Sequence, residues 1–341
     1  MSAPWTLYIG TFTKEFYYMT FDSAAMEAGE VHTVINPGGK SAFFALSEDN
    51  QYLYIADEHM GEAGGVTAYR LRKDSDPLFL NSLKTGTQGP AHVSRIRFDG
   101  RDYLLGSGYF DGEVMVFPIA EDGSLLPAVE DIRLAPGAHA HGIRPIPGTP
   151  FVLATDTEHG LLYTYEMIEN GRLVERSCYS DPAFQAPRHM TFSLDGKQVF
   201  VLTERTSTLE VFDIDRATGK VTHTAQFSNL PADYDNPASH SAAIHHSPDG
   251  RFVYCSNRGH DSIAAYRVEN GQVFRVGWAQ DSIVWPREFI ITPEGNCMLV
   301  GNQEDSSVSI FALDPETGLP VYTGKQIKLP QGPICFAFVP R

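Results

Sequence analysis

Apolar and polar residues alternate along most of this chain in short runs separated by turn residues, which is the pattern of half-buried β-strands. The segment from Pro187 to Asp213 shows the unit clearly, as a strand, an Asp-Gly turn, a second strand, a polar loop and a third strand. Similar units recur at intervals of about 45 to 54 residues, which predicts a repeat architecture. The turn dipeptides that mark these units are Asp49-Asn50, Asp99-Gly100, Pro147-Gly148, Asp195-Gly196, Asp249-Gly250 and Glu294-Gly295.

The two ends of the chain complement each other. Six units account for the sequence from about Phe43 to about Leu319. Before them, TLYIGTF, FYYMTFD and EVHTVIN resemble the second, third and fourth strands of a unit, and after them ICFAFVP resembles the missing first strand. A ring of four-stranded blades leaves no free sheet edge. We therefore predict an all-β, seven-bladed β-propeller, one domain over residues 1–341, whose closing blade takes three strands from the N-terminal end and one from the C-terminal end.

Composition narrows the class of protein. An apolar fraction of 42% with 20% charged residues is typical of a soluble globular chain. The net charge of −16 argues against nucleic acid as a partner, because a phosphate backbone requires clustered Lys and Arg. Without a leader-like or membrane-spanning apolar run, we expect a cytoplasmic protein with no membrane partner, as a monomer or weak homo-oligomer. Four scattered cysteines are expected to be buried thiols: Cys178, Cys255, Cys297 and Cys335.

The predicted ring also places candidate site residues. In a propeller blade, the first strand begins and the second strand ends at the same mouth of the central channel, so residues at these two positions converge. First-strand starts supply His92, His141, Arg188, His189, His240, Arg287 and Glu288. Second-strand ends supply Asp57, Glu58, Tyr109, Asp156, Glu204, Asn257, Arg258, Asn302 and Gln303. Ionisable groups from several blades in one concavity favour a functional site. Hydrogen bonds between adjacent blades are the alternative explanation for any single one of them.

Several segments resemble the lactonase family of seven-bladed propellers, which includes propeller-type 6-phosphogluconolactonases and fungal 3-carboxy-cis,cis-muconate lactonizing enzymes. They are YIGTF, ALSEDNQYLYIADE, AHAHGI, PRHMTFSLDG, SPDGRFVYCSNRGHDSIAAY, WPREFIITPEG and GNQEDSSVSIF. The resemblance implies a catalytic set of His141 in AHAHG, Arg188 in PRH, Glu204 in LTERTSTLEV and Arg258 in SNRGHDS. GSGYFDGE near Tyr109, and Pro286-Arg287-Glu288 where the family often has PRH, depart from its pattern and affect the expected substrate more than the fold.

The resemblance implies a metal-independent lactonase with no cofactor, acting on a small anionic lactone or polycarboxylate. Arg188 and Arg258 would stabilise a developing oxyanion, with His141 as the proton-transfer group and Glu204 as its orienting or electrostatic partner. We expect substrate contacts from His92, His189, Asn257, Arg287, Asn302 and Gln303. For Arg287, a salt bridge with Glu288 or Asp305 is the alternative.

Three other functions remain open from the sequence. A muconate-type cycloisomerase would use the same groups in the lactonizing direction. A non-catalytic propeller would bind a protein or ligand on the same face. Metal binding by His139 and His141, which alternate along a strand, lacks a third ligand at a recognised spacing.

Overall fold

The computed structural model describes residues 5–234 and 238–341, whose strands form seven antiparallel sheets arranged as a ring. The N-terminal strands are β1 (Trp5–Thr11), β2 (Glu15–Asp22), β3 (Glu27–Ala28) and β4 (His32–Ile35). Blade 1 comprises β5 (Phe43–Leu46), β6 (Tyr52–Asp57), β7 (Gly65–Arg70) and β8 (Leu78–Lys84). Blade 2 comprises β9 (His92–Phe98), β10 (Arg101–Gly108), β11 (Glu113–Pro118) and β12 (Glu130–Arg133).

Blades 3 to 6 continue in chain order. Blade 3 comprises β13 (Ala140–Pro145), β14 (Phe151–Asp156), β15 (Leu161–Met167) and β16 (Leu173–Ser180), with a short 3₁₀ turn at Glu169–Gly171. Blade 4 comprises β17 (Pro187–Phe192), β18 (Gln198–Thr203), β19 (Thr208–Ile214) and β20 (Val221–Ser228). Blade 5 comprises β21 (His240–His246), β22 (Phe252–Arg258), β23 (Ser262–Glu269) and β24 (Gln272–Ala279). Blade 6 comprises β25 (Pro286–Ile291), β26 (Cys297–Asn302), β27 (Ser307–Leu313) and β28 (Pro320–Lys328).

Blade 7 closes the ring with strands from both ends of the chain. The C-terminal strand β29 (Pro333–Pro340) pairs antiparallel with β1 over its whole length. The predicted propeller and its shared closing blade are thus confirmed. The single fourth strand predicted here is instead two short strands, β3 and β4, which pair with different parts of β2.

Burial explains the residue pattern of each strand position. A second strand packs between two neighbouring blades and is apolar on both faces, as in β18, where Val201 and Leu202 are both fully buried. A fourth strand lies at the rim and alternates buried with exposed residues, as β20 does. The apolar clusters lie between blades: one joins Leu153 of blade 3 to Val199 of blade 4. The ring is therefore held together by apolar blade interfaces, each burying side chains worth roughly 1.5–3 kcal/mol apiece.

Two further expectations can be compared with the structure. The thiols of Cys255, Cys297 and Cys335 are buried as predicted, but Cys178 is exposed, because it lies on the rim strand β16. Within the described part of the chain, no helix has the length and apolar character needed to cross a membrane.

Candidate active site

A cavity of about 410 Å³ lies at one mouth of the central channel. Its wall is assembled from first-strand starts and second-strand ends of several blades, together with the loops that follow the second strands. The lining residues are Phe12, Lys40, Glu58, Met60, Tyr109, Phe110, His141, Arg188, Glu204 and Arg287. This volume lies within the range of small-molecule sites.

β-Bulges at the first-strand starts present three of these side chains. The pairing register shifts between Ala140 and Ile143 in blade 3, between Pro187 and Met190 in blade 4, and between Pro286 and Glu288 in blade 6. His141, Arg188 and Arg287 each lie inside one of these irregular segments. A bulge bends its strand and redirects a side chain away from the regular pleat. The bulges thus account for side chains that face the channel rather than a neighbouring blade.

Glu204 lies between two arginines. Its Oε1 accepts a hydrogen bond from Nη2 of Arg258 at 2.5 Å, and its Oε2 lies 3.6 Å from Nε of Arg188. Burial acts to raise the pKa of Glu204, but the charges of Arg188 and Arg258 outweigh burial, and the pKa lies below its ordinary value. Glu204 is therefore ionised at neutral pH and fixes the positions of both guanidinium groups.

Arg188 is almost fully buried, with 2% of its surface exposed. Its Nη1 donates to the carbonyl oxygen of Ala242 and to a ring nitrogen of His189. Burial and the nearby charge of Arg287 lower the pKa of Arg188 to about 9, against the opposing effect of Glu204. The group still carries its charge at neutral pH, in a setting where water screens that charge weakly.

The other two arginines lie against aromatic rings. The guanidinium of Arg287 lies 4.6 Å from the ring centre of Phe12, and that of Arg258 lies 5.8 Å from that of Trp285. Cation–π contacts of this kind hold a guanidinium in place without neutralising it. The cavity therefore concentrates positive charge within a chain whose net charge is negative.

Three histidines pack together at the base of the site. The His189 ring lies 4.9 Å from that of His141 and 5.2 Å from that of His92, edge to face in both cases. Burial lowers the pKa of each histidine well below its ordinary value, and the nearby arginines add to the effect. All three rings are therefore neutral at pH 7. Nδ1 of His141 is buried and has no hydrogen-bond partner among the described residues.

The structure brings together His141, Arg188, Glu204 and Arg287 on the cavity wall, and Arg258 directly behind Glu204. His92 and His189 are buried beneath that wall and do not line the cavity. Gln303 does not line it either.

Asn257 and Asn302, expected to contact substrate, are instead fully buried inside their blades. Nδ2 of Asn257 donates to the Ser262 hydroxyl at 3.0 Å, and Nδ2 of Asn302 donates to the Ser307 hydroxyl at 3.0 Å. The period of a strand explains this correction, since successive side chains point to opposite sides. At a second-strand end, only one member of an adjacent pair can face the channel. In blade 5 that member is Arg258.

Several lining residues were missed or given no role from sequence. The positional rule does not predict Phe12, Lys40, Met60 and Phe110, because it applies to polar and ionisable groups of the six internal repeats. Phe12 follows β1, the second strand of the closing blade, so the same positional rule applied to blade 7 would have found it. Glu58 and Tyr109 were placed at the mouth but received no function.

The alternative roles considered for these residues can also be compared with the structure. Glu288 pairs with His245 at 2.7 Å and Asp305 pairs with Lys328 at 3.0 Å, so neither forms the salt bridge considered for Arg287. In residues 5–234 and 238–341, no three His, Cys, Asp or Glu side chains are grouped so as to hold a metal ion.

Comparisons with known proteins give consistent results over the whole chain. The family described as "Lactonase, 7-bladed beta-propeller" matches residues 6–338. The protein named 6-phosphogluconolactonase of Bacillus subtilis (strain 168) is 32% identical over 348 residues, covering 97% of each chain. The 6-phosphogluconolactonase of Formosa agariphila is 27% identical and covers 95% of each. The solved structure of Pseudomonas aeruginosa periplasmic gluconolactonase, PpgL, is similar with a TM-score of 0.89 at 25% identity, covering 98% of this chain and 99% of that one.

Proposed function

The chain belongs to the lactonase family of seven-bladed β-propellers, and from that premise we propose that it hydrolyses a small lactone bearing an anionic group. The observation that supports this most is the joint placement of Arg188, Arg287 and Glu204 on one cavity wall, with Arg258 bound to the same carboxylate. Among the residues that the structure describes, Glu204 is the one carboxylate paired directly with these guanidinium groups, which leaves positive charge available to a ligand.

The charge and size of the cavity favour a sugar-derived substrate. Arginine binds phosphate and carboxylate through paired N–H donors in a fixed fork. A volume of about 410 Å³ accommodates a sugar-sized ring with one such substituent. Relatives named 6-phosphogluconolactonase make 6-phosphogluconolactone the first compound to test.

In the proposed reaction, the arginines act on two different groups of the substrate. One guanidinium binds the anionic substituent, and another stabilises the negative charge that develops on the carbonyl oxygen as water adds. Ionised Glu204 is a weak base, and its role is to hold Arg188 and Arg258 in position. His141 lines the cavity, and its neutral ring is a hydrogen-bonding group for the substrate or the water.

The decisive experiment is a panel of lactones, including 6-phosphogluconolactone, a neutral gluconolactone and a carboxylated muconolactone, followed with a pH indicator. We expect the wild type to favour an anionic lactone. Arg188→Ala should lower kcat/KM by about a hundred- to a thousandfold, because a charge at the oxyanion is lost.

A matched control distinguishes the loss of Arg188 from the loss of an arginine elsewhere in the protein. Arg251→Ala removes a surface arginine, paired with Asp249 at 2.6 Å, from blade 5 and should leave the rate unchanged. EDTA should also leave it unchanged, since guanidinium groups supply the charge in this proposal. Full activity of both Arg188→Ala and Glu204→Gln would contradict the proposed site, and an inactive wild type on every lactone would contradict the proposed function.

A further inference from the structure

A second carboxyl group lies on the cavity wall. Glu58 follows β6 in blade 1, the position that Glu204 occupies after β18 in blade 4. Both residues line the cavity, and only 8% of the surface of Glu58 is exposed. The ring therefore presents two carboxyl groups from equivalent positions of two separated blades to one small space.

The two carboxyl groups have different surroundings. Glu204 is held by Arg188 and Arg258, whereas the Glu58 carboxyl forms no hydrogen bond or ion pair with any residue that the structure describes. Burial raises the pKa of Glu58 above its ordinary value, and the charges of Arg287, Arg188 and Lys40 offset only part of the effect. Two carboxyl groups whose surroundings separate their proton affinities in this way are typical of acid–base pairs in enzymes.

Comparison of the possible bases favours Glu58. A general base is most effective when its pKa lies near the working pH and its lone pairs are free. The lone pairs of Glu204 are engaged by two arginines, and the pKa of His141 is far below its ordinary value, which weakens it as a base. Burial raises the pKa of Glu58 toward the working pH, its carboxyl has no partner among the described residues, and it lines the same wall as Arg188.

We propose that Glu58 is a catalytic residue, the base that activates the attacking water and the acid that then protonates the leaving oxygen. This inference rests on the proposed lactone hydrolysis and assigns its proton transfers to a residue outside the catalytic set implied by the family motifs.

The proton and the electron pairs balance in two steps. In the first, the Glu58 carboxylate takes a proton from water while the water oxygen bonds to the lactone carbonyl carbon, and the π pair moves to the carbonyl oxygen. In the second, that pair re-forms the C=O bond, the bond between the carbonyl carbon and the ring oxygen breaks, and Glu58 returns its proton to the ring oxygen. One water is consumed, one hydroxy acid is produced, and Glu58 is regenerated.

The expected pH dependence follows from the groups that face Glu58. These are the cations Arg287, Arg188 and Lys40, with His141 and Glu204 on the same wall. The neighbouring Asp57 carboxyl does not take part, since it accepts hydrogen bonds from Asn36 and Thr67 inside the blade. The base must be ionised to act, so kcat/KM should fall as the pH is lowered through a value above 4.5, the ordinary value for a glutamate.

The test compares Glu58→Gln, Glu58→Asp and the control Glu62→Gln with the wild type on the best lactone of the panel. Glu62 lies on the loop after the same strand, and its side chain is 80% exposed. Glu58→Gln should lower kcat by about a hundred- to ten-thousandfold, with KM changed only a few-fold and the acid limb of the pH profile lost. Glu62→Gln should keep the wild-type rate and profile.

A second, conservative variant keeps the proposal testable if Glu58→Gln does not fold. Glu58→Asp keeps a carboxyl but withdraws it by one methylene, and should lower kcat by about tenfold or more while keeping an acid limb. A wild type that opens a lactone, with Glu58→Gln or Glu58→Asp equally fast and showing the same pH profile, overturns the role of Glu58 and leaves the proposed function standing. A wild type inactive on the whole panel overturns both.

Discussion

Asp57 illustrates how the surroundings of a single residue set its charge. Its side chain is fully buried at the end of β6, where it accepts hydrogen bonds of 2.6 Å from Asn36 and from Thr67. Burial raises the pKa of Asp57 to about 6, although both hydrogen bonds act to lower it. The carboxyl is therefore protonated more readily in the folded chain than in the unfolded chain.

The sign of the resulting prediction follows from that difference. Because the folded state binds the proton more tightly, the free energy of unfolding contributed by Asp57 falls as the pH rises from about 3.8 to about 6. Asp57→Asn cannot lose a proton, so between pH 4 and pH 7 its stability should improve relative to wild type by about 2 kcal/mol. Urea unfolding at both pH values measures the change.

Asp195→Asn provides a control of opposite sign. The Ser193 hydroxyl lowers the pKa of Asp195, so this variant should lose stability relative to wild type as the pH rises. Equal slopes for the two variants would contradict the assignment of the effect to Asp57.

At the residue scale, the sequence predicts where the site residues lie better than it predicts the role of each residue. The positional rule selected Asp57, Glu58, Glu204 and Arg258 together, yet it could not separate them. Their roles depend on partners that come from other strands, such as the Thr67 hydroxyl at Asp57 and the Arg258 guanidinium at Glu204. Thr67 is 10 residues from Asp57 and Arg258 is 54 residues from Glu204, so no common sequence spacing identifies these partners.

At the scale of elements, close approach of strands fixes the register where the ring closes. Gly10 lies near the end of β1, next to a register irregularity in the pairing with β29. A Cβ placed on Gly10 would collide with the Sγ of Cys335 and with the backbone oxygen of Ser41. Because a backbone oxygen cannot move aside as a flexible side chain can, glycine is required here.

Gly10→Ala should therefore destabilise the fold by about 1–3 kcal/mol through overpacking at the closing blade. Gly277→Ala is the matched control on the rim strand β24, where the nearest atom to a new Cβ is Leu319 Cδ1 at 3.5 Å. Thermal unfolding of the two variants beside the wild type checks the prediction, and equal melting temperatures for both would refute it.

Strand order was predictable from sequence because turns and alternation recur in every unit. The division of the outermost position of blade 7 into β3 and β4 was not predictable, since Glu27–Ala28 is too short to show alternation. The bulges that present His141, Arg188 and Arg287 are also not predictable from sequence, because a bulge depends on the pairing between two strands rather than on the residues of one.

At the scale of the whole molecule, closure depends on a short terminal strand. Strand β29 pairs with β1 and also carries Ile334, Cys335 and Phe338, all buried, into the ring. Its side chains belong to clusters shared with both neighbouring blades. The strand therefore completes two blade interfaces as well as one sheet.

Removal of residues 333–341 should abolish the native fold, because it exposes the inner edge of β1 and opens both interfaces. Size-exclusion chromatography and circular dichroism should show aggregated or unfolded protein. Removal of Arg341 alone should leave the elution volume and the spectrum of the full chain unchanged, since this exposed residue lies after β29. A truncated chain with a native spectrum and wild-type melting temperature would show that the ring does not need its closing strand.

The shared closing blade also sets the order of events during biosynthesis. The ribosome makes residues 12–332 between β1 and β29, which takes roughly 15 to 65 s at about 5–20 residues per second. Throughout that interval, Leu7 and Ile9, fully buried in the finished ring, lack their partner strand β29. A nascent chain halted before β29 would already contain His141, Arg188, Glu204 and Arg287, yet its ring would be open, so only full translation to the last strand yields an assembled site.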